Sequence, residues 1–156
     1  MNGSRNPINV AILGAGDGGR LNWRALQRLE QRIVAVCDNN EDALRKATAE
    51  LPGVKTYRSH AELFCGAPDL DLVVVATPDD AHLAPAQAAI QQSPDVHVFI
   101  EKPLATDFED VKAFCVLLQS APGRIHFSEN QSFTYPVQQA LGLKDELGPF
   151  LTGGTY

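Results

Sequence analysis

The 156-residue chain is poor in cysteine, with only Cys37, Cys65 and Cys115. An odd number at wide, irregular spacing offers no disulfide framework. The thiols read as small buried hydrophobes of a reducing compartment. No C-x-x-C or closely spaced histidine pair occurs, so no metal site is expected. Positive charge is also scarce: 13 Lys and Arg stand against 19 Asp and Glu, for a net charge of −6. Such a chain repels phosphate backbones and anionic membrane surfaces, so neither nucleic acid nor membrane is an expected partner. No apolar run approaches the ~18 residues of a spanning helix. The opening stretch MNGSRNPINV lacks the apolar segment of a secretory leader, which leaves a cytoplasmic location as the expectation. Internal repeats and Ser- or Gly-rich linkers are missing too. What remains is ordinary globular composition, 44% hydrophobic and 21% charged, at a length suited to about one domain.

Short apolar runs alternate with helical patterns. Strands are predicted over 8–13, 32–37, 54–57, 72–76, 96–100 and 124–127, and helices over 18–30, 41–51, 81–92 and 107–119. Ser59 and Glu62 have capping-box spacing, and Thr106 or Asp107 caps the 107–119 helix. A last helix is predicted over 137–146, and residues 151–156 look like the beginning of another strand. Continuous apolar strands separated by helices predict an α/β fold, a doubly wound parallel sheet covered on both faces.

The first strand runs into Gly14-Ala15-Gly16-Asp17-Gly18-Gly19, a G-x-G-x-x-G sequence between strand and helix. Gly14 permits the tight turn, Gly16 lets backbone approach a pyrophosphate, and Gly19 lets the helix pack on the strand. The helix start offers unpaired N–H groups to phosphate. Asp38 closes the second strand about 20 residues beyond Gly19, the offset of a carboxylate that binds ribose hydroxyls. A plain glycine turn followed by a helix-capping Asp, or a methyltransferase loop, would read similarly. A P-loop is excluded, because Arg20-Leu21 follows where Lys-Ser/Thr should stand. Asp38 disfavours a 2′-phosphate, and its neighbours Asn39 and Asn40 are neutral. NAD is therefore expected, with NADP still admitted because Arg20 and Arg45 lie within reach.

Two further motifs sit at strand ends, where such sheets bind ligands. Ala76-Thr77-Pro78-Asp79-Asp80-Ala81-His82 follows the central strand, and Glu101-Lys102-Pro103 closes the next. Lys102 can hydrogen-bond a reacting hydroxyl, or be a surface lysine paired with Glu101. His82 has the alternative of an exposed histidine at a helix start. His97 and His126 read as core histidines within strands. A cis bond before Pro103 is one conformation open to the chain.

Taken in order, GAGDGG, CD, ATPDDAH and HVFIEKPLA resemble the Gfo/Idh/MocA oxidoreductases (glucose–fructose oxidoreductase, inositol dehydrogenase and relatives). The resemblance covers about residues 8–156. It implies a Rossmann domain over 8–128, preceded by a tail over 1–7 and followed over 129–156 by the start of a truncated second α+β domain for substrate and oligomerisation. It implies a nicotinamide cofactor and hydride transfer at a carbinol carbon of a sugar, polyol or related small molecule. Carried onto this chain, the loop residues Gly14 to Gly19 would hold the pyrophosphate, and Asp38 with Asn39 the ribose. Thr77, Pro78, His82 and Asn130 would border the cofactor, Glu101 would sit near the nicotinamide ribose, and Lys102 would contact both the cofactor and the substrate hydroxyl as the catalytic residue. Ser132 stands where the family has an Arg before an aromatic residue. The family's catalytic Asp and His fall beyond this chain, and a homo-oligomer is compatible with the family. A stand-alone dinucleotide-binding module without catalysis is the alternative.

Overall fold

The structure, a computed structural model, describes residues 6–67 and 69–128. The helix expected over 137–146, the strand over 151–156 and Asn130 lie outside the described residues. The element order is β1 (Asn9–Leu13), α1 (Asp17–Arg28), β2 (Arg32–Cys37), α2 (Glu41–Glu50), β3 (Lys55–Tyr57), α3 (His60–Gly66), β4 (Leu72–Val75), α4 (Leu83–Gln92), β5 (His97–Ile100), α5 (Phe108–Ser120) and β6 (Ile125–Phe127). The strands form one parallel sheet in the order β3-β2-β1-β4-β5-β6. The order reverses between β1 and β4, and the crevice for ligands opens at the carboxyl ends of the strands beside that point.

Both faces are packed, as continuous apolar strands require. On one face Trp23 of α1 and Leu44 and Ala47 of α2 bury Val10, Ile12, Val36 and Val74. On the other, Leu63 of α3, Ala86 and Ala89 of α4 and Phe114 and Leu117 of α5 bury Ala11, Val73, Val75, Val98 and Ile100. Alternate strand residues therefore serve opposite cores.

Local chemistry sets the helix starts. The Asn40 side chain accepts from the Asp42 N–H, Ser59 from Glu62 and Asp107 from Asp110, each satisfying one orphan donor. Asp107, not Thr106, is thus the α5 cap. The Ser59 capping box is displaced on its return side, since Glu62 accepts from the N–H of Arg58 rather than of Ser59. The helix expected from residue 81 begins at Leu83. Thr77 Oγ1 donates to Ala81 O, and Ala81 N–H donates to Pro78 O, so 77–81 closes as a separate turn.

His97 and His126 overturn the expectation of core histidines. Both are exposed, and their rings stack with centroids 5.4 Å apart and Nδ1 of His97 3.1 Å from Nε2 of His126. On their face of the sheet, α1 and α2 pack over β1 to β4, and among the described residues no helix covers this part of β5 and β6. Alternation within a strand places a side chain on a face, and whether a helix covers that face is decided elsewhere in the chain.

Candidate functional site

The glycine loop is shaped by backbone contact. Gly14 has φ +94°, and a Cβ there would lie 2.2 Å from the carbonyl oxygen of Ala76. Its N–H donates to Cys37 O at 2.8 Å. A Cβ on Gly19 would lie 1.9 Å from Gly14 O and 3.4 Å from Ile12 Cγ2, so α1 can approach β1 only with glycine at this position. Gly16 differs: nothing stands within 4 Å of its Cβ direction. It caps α1, and among the described residues no side-chain hydrogen bond caps this helix start. Open space beside uncapped N–H groups at a helix start suits an anionic group.

Asp38 is held in place from two sides. Its Oδ2 accepts from Ala15 N–H at 2.7 Å and its Oδ1 from Asn40 N–H at 2.8 Å. Each carboxylate oxygen retains a second lone pair for a hydroxyl donor. A cavity of about 600 Å³ extends from the loop, lined among others by Gly16, Asp17, Asp38, Asn39, Thr77 and Pro78. Gly14 and Gly18 border it as well, whereas Ala15, Gly19, His82, Glu101 and Lys102 do not. Cys37 also lines it. Burial first, then the carboxylates of Asp38 and Glu62, push its thiol up to about 11, which makes it a poor nucleophile at neutral pH.

His82 is neither exposed nor on the cavity wall. It is 1% exposed. Its Nδ1 lies 2.9 Å from Pro103 O and its Nε2 2.9 Å from Thr77 O. The ring therefore spans the turn after β4 and the turn after β5. The spacing of ATPDDAH brought His82 near the site, but its role is set by a carbonyl that arrives from another loop.

Glu101 and Lys102 do not pair with each other, against one of the readings above. Glu101 Oε1 accepts from Asn22 Nδ2 of α1 at 2.7 Å, and its Oε2 accepts from the Lys102 backbone N–H at 3.3 Å. Among the described residues no carboxylate forms an ion pair with the Lys102 ammonium. The Lys102–Pro103 peptide is cis. Asn22, which also donates to Gly18 O at 2.9 Å, thus ties the Glu101 end of β5 to the glycine loop. A polar residue on a helix carries no motif, so nothing in the sequence signals this role.

The arginines depart from expectation. Arg20 pairs with Glu50 and Arg45 with Asp42, and neither lines the cavity. Arg58 does, together with Ser59 and His60 from the end of β3. The strand-end rule that singled out Thr77 and Lys102 applies equally to β3 and would have found them.

The family model described as "Oxidoreductase family, NAD-binding Rossmann fold", that of the Gfo/Idh/MocA proteins, matches residues 8–128. The chain belongs to this family. Among curated relatives, a 1-carboxy-3-chloro-3,4-dihydroxycyclohexa-1,5-diene dehydrogenase of Comamonas testosteroni is 29% identical over 73% of this chain and 28% of its own length. A myo-inositol 2-dehydrogenase of Thermotoga maritima is 30% identical over 67% and 30%. A glycosyl hydrolase family 109 protein of Streptomyces niveus is 33% identical over 69% and 23%. This chain thus spans less than a third of the length of each. Among solved structures, the WlbA dehydrogenase of Bordetella pertussis, in complex with NADH and UDP-GlcNAcA, superposes with a TM-score of 0.78 at 25% identity, over 90% of this chain and 42% of that one. The scyllo-inositol dehydrogenase of Lactobacillus casei, with NAD(H) and scyllo-inositol, gives 0.76 at 24% over 90% and 41%; at that identity the likeness is one of fold. The domain is an NAD-binding Rossmann domain of an oxidoreductase family.

Proposed function

We propose that the cavity beside Gly16 and Asp38 holds NAD, and that the chain supplies the cofactor half of an oxidoreductase acting on a carbinol carbon of a sugar or polyol. The observation that carries the reading is the contrast within the glycine loop. Gly14 and Gly19 have no room for a side chain, while Gly16 faces open space beside uncapped N–H groups. In this reading the α1 start receives the pyrophosphate, Asp38 accepts from the adenosine ribose hydroxyls, and Asn39, Thr77 and Pro78 border the cofactor. When bound, the nicotinamide supplies the site that accepts or donates hydride.

The chain's own residues orient the reacting end. Asn22 fixes Glu101 through Oε1, leaving that carboxylate to accept from the nicotinamide ribose. Lys102 Nζ donates a hydrogen bond to the carbinol oxygen and stabilises the partial negative charge on that oxygen in the transition state. The polyol class is supported by the inositol dehydrogenases among the relatives.

Titration of the chain with NADH, followed by calorimetry, tests the cofactor reading. Saturable binding that weakens by roughly tenfold or more in Gly16→Ala, with folding unchanged, supports it. No binding of NADH or NADPH would sink it. The role of Lys102 is tested in the protein joined to a substrate domain, assayed on a panel of polyols. Lys102→Ala should lower kcat far more than NADH affinity, and an equal loss of both would make it a cofactor ligand only.

A further inference from the structure

We infer that Glu41 biases the cofactor preference toward NAD by keeping the Arg58 guanidinium paired at the edge of the ribose end of the cavity. The inference rests on the reading that Asp38 marks that end.

Arg58 borders two hollows. One is the cavity it lines with Asp38 and Asn39, and the other is a shallower groove it lines with Glu41 and Arg45. Its Nη1 donates to Glu41 Oε1 at 2.6 Å, which draws the guanidinium toward the groove. Both side chains are largely exposed, 62% and 66%, so the pair is weak and exchangeable. Glu41 itself sits in the first turn of α2, where a carboxylate complements the helix pole.

A 2′-phosphate beside Asp38 would need a cation. Asp38 cannot turn away, since both of its oxygens are anchored on backbone N–H groups. Arg45 and Arg20, paired with Asp42 and Glu50, do not line this cavity. Arg58 is the arginine that lines the cavity among the described residues. A guanidinium released from Glu41 has the planar fork that grips phosphate in two places. With Glu41 present, Arg58 is neutralised and the cavity prefers the free 2′-hydroxyl of NAD. The specificity is thus held by a charge pair one step behind the cofactor rather than by Asp38 alone.

The test is a double-variant cycle on the full chain, with NADH and NADPH affinities measured by calorimetry. Glu41→Gln should tighten NADPH by about fivefold, the size of one exposed charge pair, and leave NADH within about twofold. The gain should vanish in Glu41→Gln/Arg58→Ala and shrink as salt is raised. A gain that persists without Arg58 would overturn the inference, since removal of a negative charge alone would then account for it. NADH binding with no gain in NADPH would overturn it while leaving the cofactor reading intact. A wild-type chain that binds neither cofactor would overturn both.

Discussion

Around the glycine loop, backbone groups shape the crevice; around Glu101 and Lys102, side chains do. Gly14, Gly19 and Ala76 meet main chain to main chain, and Asp38 is pinned by two N–H groups. The other end relies on one amide, Asn22 to Glu101, and on a lysine whose ammonium has no carboxylate partner among the described residues. Backbone geometry tolerates few substitutions, whereas side-chain geometry can be retuned residue by residue. In the function proposed above, the first region meets the cofactor and the second the substrate.

The sharpest way to break this contrast is a set of alanines in the loop. Gly14→Ala and Gly19→Ala should each cost roughly 3 kcal/mol of stability, from strain and overpacking, and Gly16→Ala within about 0.5 kcal/mol. Urea unfolding of the three variants checks this, and equal costs would abolish the distinction between framework and ligand glycines. Next in size is His82→Ala, which removes the buried ring lying between the Thr77 and Pro103 carbonyls and the hydrogen bond it donates to one of them. A loss of roughly 2–3 kcal/mol is expected. A loss below about 0.5 kcal/mol would show that the two turns stand without the ring. Asp38→Ala should weaken NADH by roughly tenfold and lower stability by roughly 1–2 kcal/mol, because Ala15 and Asn40 lose their acceptor. Unchanged affinity would show that the ribose contact is misassigned.

The smallest effect concerns Glu50, whose carboxyl is held below its usual range first by the Arg20 hydrogen bond and further by Trp23 and Arg24, against partial desolvation. A depressed folded value means that its contribution is present above the ordinary carboxylate range, near pH 4.3, and is lost as pH falls below it. Glu50→Gln should therefore flatten the acid limb of the stability profile. An unaltered limb would mean the cluster contributes nothing measurable.

Much of this fold could be read directly. Strand–helix alternation, Gly and Pro stops and the glycine loop located the elements to within a residue or two in most cases. The boundaries that moved did so for local reasons, as where Thr77 and Ala81 closed a turn before α4. The lining of the cavity was legible where a motif is contiguous, at 14, 16–18, 38–39 and 77–78. It was not where the partner comes from elsewhere. Nothing in ATPDDAH indicates that His82 meets Pro103, and although the end of β3 is a place to look for ligand contacts, nothing in YRSH indicates that Arg58 pairs with Glu41. Periodicity likewise could not tell that, among the described residues, no helix packs on the sheet face bearing His97 and His126. These facts depend on which loops the strand order makes neighbours.

Gly14 and Ala76 carry that last point further. The glycine's missing side chain is space already taken by the carbonyl that follows β4. A shift in either loop is therefore read by the other as a collision, so drift in one must be matched in the other. The glycine loop and the turn after β4 form one part made from two distant stretches of chain, and a designer wishing to remodel the cavity would have to treat them as a single piece.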